Sequence, residues 1–178
     1  MKKIVLSIVL ATIPMLMAAQ ENHSEKEFVK EKFFLHELVS TSSRQHNMKP
    51  VQNDLILGWQ ITNKLSVFAD YQAMLGLYNA DGTRNYYRSR SGLGGGFGYE
   101  IANIRKAIGI DVRALATTTV GSPDWKYTQY DIGFIFYDYR NHQRFLSPVI
   151  GIGYRFTDSR TAGLRNLSNI YFQMGFDI

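Results

Sequence analysis

At 178 residues the chain is long enough for one domain, and it carries a formal charge of +5 at pH 7 with no cysteine. Zero cysteines exclude a disulfide framework and thiolate metal sites. The basic charge is modest and scattered, which does not suit a nucleic-acid interface. Although 45% of residues are hydrophobic, no apolar run beyond the first twenty residues approaches the roughly 18 needed for a membrane helix.

Lys2 and Lys3 followed by the apolar run 4–17 and Ala18-Ala19 form the basic, apolar and small-residue regions of a secretory signal peptide. Residues 1–19 are therefore expected to be removed, which takes two charges from the total. Met17 is larger than the usual residue at its position, and an uncleaved anchor helix is the alternative, although about 14 apolar residues is short for a span. Residues 20–29 are a polar N-terminal stub.

Residues 30–43 are expected to form a first strand, with a short amphipathic helix as the competing reading. Their inward and outward faces are ambiguous, and 44–53 reads as a polar loop. From there the hydrophobic period is 2, the signature of strands. Strand two, 54–62, sets Leu55, Leu57, Trp59 and Ile61 against Asp54, Ile56, Gly58 and Gln60. Strand three, 65–78, sets Val67, Ala69, Tyr71 and Leu75 against Ser66, Phe68, Asp70 and Gln72. The pair Asp81-Gly82 marks a turn inside a loop at 79–84.

Strand four, 85–101, contains S-R-S-G-L-G-G-G-F-G-Y-E-I. Arg90, Gly92, Gly94, Gly96, Gly98 and Glu100 alternate with Leu93, Gly95, Phe97, Tyr99 and Ile101. Strand five, 105–119, sets Ile110, Val112 and Ala114 against Gly109, Asp111, Arg113 and Thr117. Strand six, 126–140, sets Tyr130, Ile132, Phe134 and Phe136 against Asp131, Gly133 and Tyr137. Strand seven, 145–157, sets Ile150, Ile152 and Tyr154 against Gly151, Gly153 and Arg155. Strand eight, 167–178, sets Ile170, Phe172, Met174 and Phe176 against Tyr171, Gln173, Gly175 and Asp177.

Eight strands joined by alternating short turns and longer loops describe an all-β, eight-stranded antiparallel up-and-down barrel over residues 30–178. Alternation also suits a soluble barrel whose apolar face turns inward. Volume decides between them. The interior of an eight-stranded barrel is only just wide enough for side chains to fill, and roughly thirty bulky groups would not fit there. The face carrying the glycines does fit. It also carries Asp70, Arg88, Arg90, Glu100, Asp111, Arg113, Asp131 and Arg155, with Glu37 a further candidate. A one-residue slip would put these charges into hydrocarbon, at roughly 2–4 kcal/mol for each Arg at mid-depth. The expected barrel is therefore transmembrane, polar inside and apolar outside. Rings at Trp59, Tyr99 and Phe176 on one side, and at Tyr87, Tyr130, Tyr154, Phe156 and Trp125 on the other, suit two interfacial belts.

The signal peptide, the alternating strands and the final Tyr171-Phe172-Gln173-Met174-Gly175-Phe176-Asp177-Ile178 resemble the small eight-stranded outer-membrane barrels of Gram-negative bacteria, of the OmpX and OmpA-barrel type. The resemblance is one of architecture. It implies an outer-membrane location with both termini periplasmic, and a last strand read by the barrel assembly machinery. In that family the chain ends in Phe, whereas here Phe176 stands two residues before Ile178.

The inner charges are expected to pair and brace a mostly filled lumen. That implies a structural or surface-interaction role: envelope integrity, adhesion or defence against host factors. A narrow channel for small solutes is the second reading. A lipid-A-modifying enzyme is the third. His23, His36, His46 and His142 are the histidines, and none stands in a nucleophile–base arrangement, so no catalytic activity is expected. No cofactor or metal site is expected either, since no histidine pair has ligand spacing. Gly92–Gly98 lacks the Lys-Ser/Thr and helix start of a phosphate loop. The outer loops carry Arg44, Lys49, Arg84, Lys126, Arg160 and Arg165, which suit contact with lipopolysaccharide phosphates.

Overall fold

The computed structural model describes residues 33–80, 83–104, 108–138 and 147–178, with the backbone alone at 79–80, 83–85 and 87–90. The predicted signal peptide and stub lie outside the described residues. Eight strands follow in order: β1 (Phe33–Ser42), β2 (Met48–Gln60), β3 (Leu65–Ala80), β4 (Thr83–Ile104), β5 (Ile108–Thr119), β6 (Tyr127–Asp138), β7 (Ser147–Ser159) and β8 (Leu167–Asp177). Each pairs antiparallel with its sequence neighbour, and β1 pairs with β8 to close the barrel. Closure removes the free edges that an open sheet would present. Residues 33–42 are a strand, so the helical alternative for this segment is discarded.

The inversion between walls is direct. Phe134, Ile152, Phe172 and Met174 face outward, the last two 59% and 65% exposed. Asp54, Asp70, Asp111, Arg113, Asp131 and Arg155 are buried inside. The inner wall also receives rings from neighbouring strands. Phe34 stands opposite Gly58, Phe68 opposite Gly96, Tyr137 opposite Gly109 and Tyr171 opposite Gly153. A Cβ built on Gly96 would come within 2.8 Å of the Phe68 ring, and one on Gly153 equally close to Tyr171. The missing side chain is the space in which the adjacent ring lies, a packing that covers the exposed glycine backbone.

Four expectations are corrected. First, 44–53 is not a long polar loop. Gln45 and Met48 exchange backbone hydrogen bonds of 2.9 Å across His46 and Asn47, whose φ values are 49° and 61°. Two central residues with positive φ form a tight hairpin turn whose twist matches the strands, so β2 begins at Met48. Second, β3 and β4 extend to Ala80 and from Thr83, leaving two residues between them where a six-residue loop was expected. Third, Trp125 does not join an outer aromatic belt. It is fully buried over the barrel mouth, beside Gly76 and Tyr127.

The fourth concerns faces. Glu37 is exposed on the outer wall, opposite Leu55 and Phe176, and the inward residues of β1 are His36, Leu38, Ser40 and Ser42. In β4 an irregularity between Gln72 and Met74 of β3 inserts one extra residue, so that Gly92 stands opposite Gln72 but Ser89 opposite Met74. A bulge of this kind reverses the face of everything beyond it. Arg88 is consequently in register with outward Leu75, not with the inner wall. Continuous alternation could not reveal this, because nothing in period 2 marks an inserted residue.

Candidate functional site

The candidate site is the filled lumen, and it is layered. At the end where β1 starts, Leu38, Ile56, Phe68, Ile135, Tyr137 and Val149 form an apolar plug with Phe34 and Leu115. At the opposite end Met48, Met74, Trp125, Tyr127 and Leu167 form a second plug with Leu164. The interior groups between and beside them are polar, and strand pairing sets which of them meet.

Arg155 on β7 stands directly opposite Asp131 on β6. Its Nε donates to both carboxylate oxygens of Asp131 at 3.0 and 3.1 Å, and Nη2 donates to Oδ2 at 2.8 Å. Nη1 donates to Ser40 Oγ at 3.1 Å, and the guanidinium carbon lies 4.4 Å from the Tyr171 ring centroid. This forked geometry is the strong form of the Arg–carboxylate contact. Asp54 accepts from Gln52 at 2.5 Å and Gln72 at 3.2 Å. Tyr127 donates to Gln72 Oε1 at 2.5 Å, which ties the second plug to the polar layer. Asp70 accepts from Thr117 at 3.0 Å, reaching two strands across because Gly94 between them has no side chain. Three carboxylates thus gather about one guanidinium. Among the described residues, Gln52 Oε1, Gln129 Oε1 and Asp70 Oδ1 have no hydrogen-bond donor.

A second chain surrounds Arg113, nearer the β1 start. Its Nη1 lies 2.9 Å from His36 Nδ1. Since a guanidinium can only donate, Nδ1 must accept, and the ring proton sits on Nε2. That atom faces Asp177 Oδ1 at 3.4 Å. Arg113 Nη2 lies 3.6 Å from Asp111 Oδ2. The Tyr137 hydroxyl lies 3.0 Å from Asp111 Oδ1 and 2.9 Å from Glu100 Oε2, its single proton shared between the two carboxylates. The guanidinium is flanked by the Phe34 and Phe68 rings at 5.2 and 5.6 Å, and its Nε has no acceptor among the described residues.

Of the eight charges assigned to the inner wall, Asp70, Asp131 and Arg155 meet in one layer, and Glu100, Asp111 and Arg113 in the other. The side chains of Arg88 and Arg90 lie outside the described residues. Sequence reasoning left Asp54 out of the network, although its alternation with Ile56 and Gly58 placed it on the right face. It also missed His36 and Phe34, because the faces of the first strand were ambiguous.

The predicted rim residues share the opposite end of the barrel. Arg44, Lys49, Lys126, Arg160 and Arg165 are exposed there, while the Arg84 side chain lies outside the described residues. Arg160 is also tied inward, donating to Thr118 Oγ1, Thr119 Oγ1 and the Tyr127 carbonyl at 2.9, 3.1 and 3.0 Å. It clamps the 160–166 connection against the strand ends over the second plug.

Comparisons with known protein families, with curated proteins and with solved structures find no match for this chain.

Proposed function

We propose that this protein is an integral outer-membrane barrel with a structural or surface-interaction role, its lumen packed shut. The observation that carries the reading is the inversion of the two walls: charge and amide groups are enclosed, while a girdle of large apolar side chains faces out. In water such a girdle would far exceed the few hundred Å² of contiguous apolar surface normal for a soluble monomer. In lipid it is what a spanning barrel requires, because closure satisfies every ladder hydrogen bond and the apolar face meets hydrocarbon. The apolar plugs at both ends favour bracing over conduction. Envelope integrity, adhesion and defence against host factors all suit a rigid barrel presenting short loops. The exposed Arg44, Lys49, Lys126 and Arg165 suit phosphate groups of lipopolysaccharide at the outer rim.

The test is reconstitution of the full chain in planar bilayers, together with fractionation of expressing cells. Insertion without reproducible unit conductance steps is expected, and neutralising Lys49 and Arg165 should lower co-purified lipopolysaccharide. Recovery in the soluble fraction would refute the membrane reading. Discrete conductance steps would instead favour the narrow channel.

A further inference from the structure

Among the described residues the outer wall of β1 and β2 carries a polar interruption that the lumen does not explain. On β2 the outward positions run Trp59, Leu57, Leu55, Asn53, Val51 and Lys49 from one end to the other. With the usual rise and tilt of barrel strands these span roughly 25 Å, the height of an apolar band. Glu37 on β1 stands opposite Leu55, near the middle of that span, and Val39 stands opposite Asn53. Glu37 and Asn53 are therefore diagonal neighbours on one outward patch, within reach of a common ligand. Glu37 is exposed, and neither side chain has a hydrogen-bond partner among the described residues. Leu35, Val39, Val51 and Leu55 surround them, and on β3 the next outward positions include Ala69 and Ala73, opposite Leu57 and Asn53.

Resting on the outer-membrane reading, we propose that this patch is a docking surface for a second copy of the same chain, related by a two-fold axis in which Glu37 of each copy meets Asn53 of the other. A two-fold interface brings one patch against itself, so it needs a donor and an acceptor on the same surface. Glu37 and Asn53 supply that pair. The amide donates to a carboxylate. A neutral carboxyl would both donate to and accept from the amide, so the match holds in either charge state. An ionisable group turned toward hydrocarbon is costly unless paired. Small residues beside it let two backbones approach, as at other contacts formed within membranes.

The full chain, reconstituted in phosphatidylcholine vesicles, tests this by energy transfer between copies labelled at Asp124→Cys, since the natural chain has no cysteine. Transfer is expected for the otherwise unchanged chain and for Glu37→Gln, which keeps an amide partner. Glu37→Leu with Asn53→Leu should raise the dissociation constant at least about threefold. That variant makes the outer wall more apolar, so loss of pairing cannot be laid to poorer insertion, and circular dichroism in the same vesicles checks its fold. Chains carrying Glu37→Cys and Asn53→Cys should cross-link to each other more readily than either does to Ile132→Cys on β6. Equal transfer for the leucine variant, absence of transfer in an inserted chain, or indiscriminate cross-linking would overturn the dimer and leave the membrane reading standing. A chain that does not insert would remove both.

Discussion

Two buried arginines share one lumen and are held in different ways. Arg155 is 2% exposed and meets Asp131 through a fork of three short hydrogen bonds, with Ser40 and the Tyr171 ring completing its surroundings. Arg113 is 7% exposed, sits 3.6 Å from Asp111 Oδ2 and, among the described residues, leaves Nε without an acceptor. Register explains the contrast. Arg155 faces Asp131 directly across one strand pair, whereas Arg113 faces Gly133 and Gly98 on its two sides and must reach along its own strand to Asp111. Glycine neighbours make room for a guanidinium but offer it nothing to bind. The Phe34 and Phe68 rings, with one hydrogen bond from Nη1 to His36 Nδ1, fill that role instead. One arginine is held by charge, the other chiefly by packing.

The largest expected effect comes from breaking the first. Arg155→Ala strands Asp131, with Asp54 and Asp70 nearby, in a layer already rich in acid. Removing one partner of a buried pair typically costs about 3–5 kcal/mol, and urea unfolding of the vesicle-reconstituted barrel should show a loss of that size. A loss under about 1 kcal/mol would mean that the fork contributes little, since 3–5 kcal/mol is typical for a stranded partner.

Arg113→Met sharpens the contrast. Methionine keeps the contact with the two rings, and Asp111 retains its Tyr137 donor. The expected loss is about 1 kcal/mol, that of a hydrogen bond or two in a site whose packing survives. If Arg113→Met proves as damaging as Arg155→Ala, the division between charge-held and packing-held arginines fails. The smallest effect belongs to the exposed clamp. Arg160→Ala removes donors to Thr118, Thr119 and Tyr127. It should change global stability by under about 1 kcal/mol while speeding amide hydrogen exchange in residues 120–127. Unchanged exchange there would show that Trp125 holds the mouth closed without the clamp.

The strand count, the up-and-down order and the sorting of charge from bulk onto opposite walls were legible in the sequence. Side-chain period 2 is a local property, and from β5 to β8 no inserted residue interrupts it along a strand. Asp111, Arg113, Asp131 and Arg155 follow from that period alone. Tertiary structure decided what period 2 leaves open. The extra residue in β4 moved Arg88 into register with the outer wall. The faces of β1, and with them His36 and Glu37, were set by pairing to β2 and β8. The pairings of Arg155 with Asp131 and of Tyr137 with Gly109 depend on register between strands, which closure of the barrel selects and no single strand encodes.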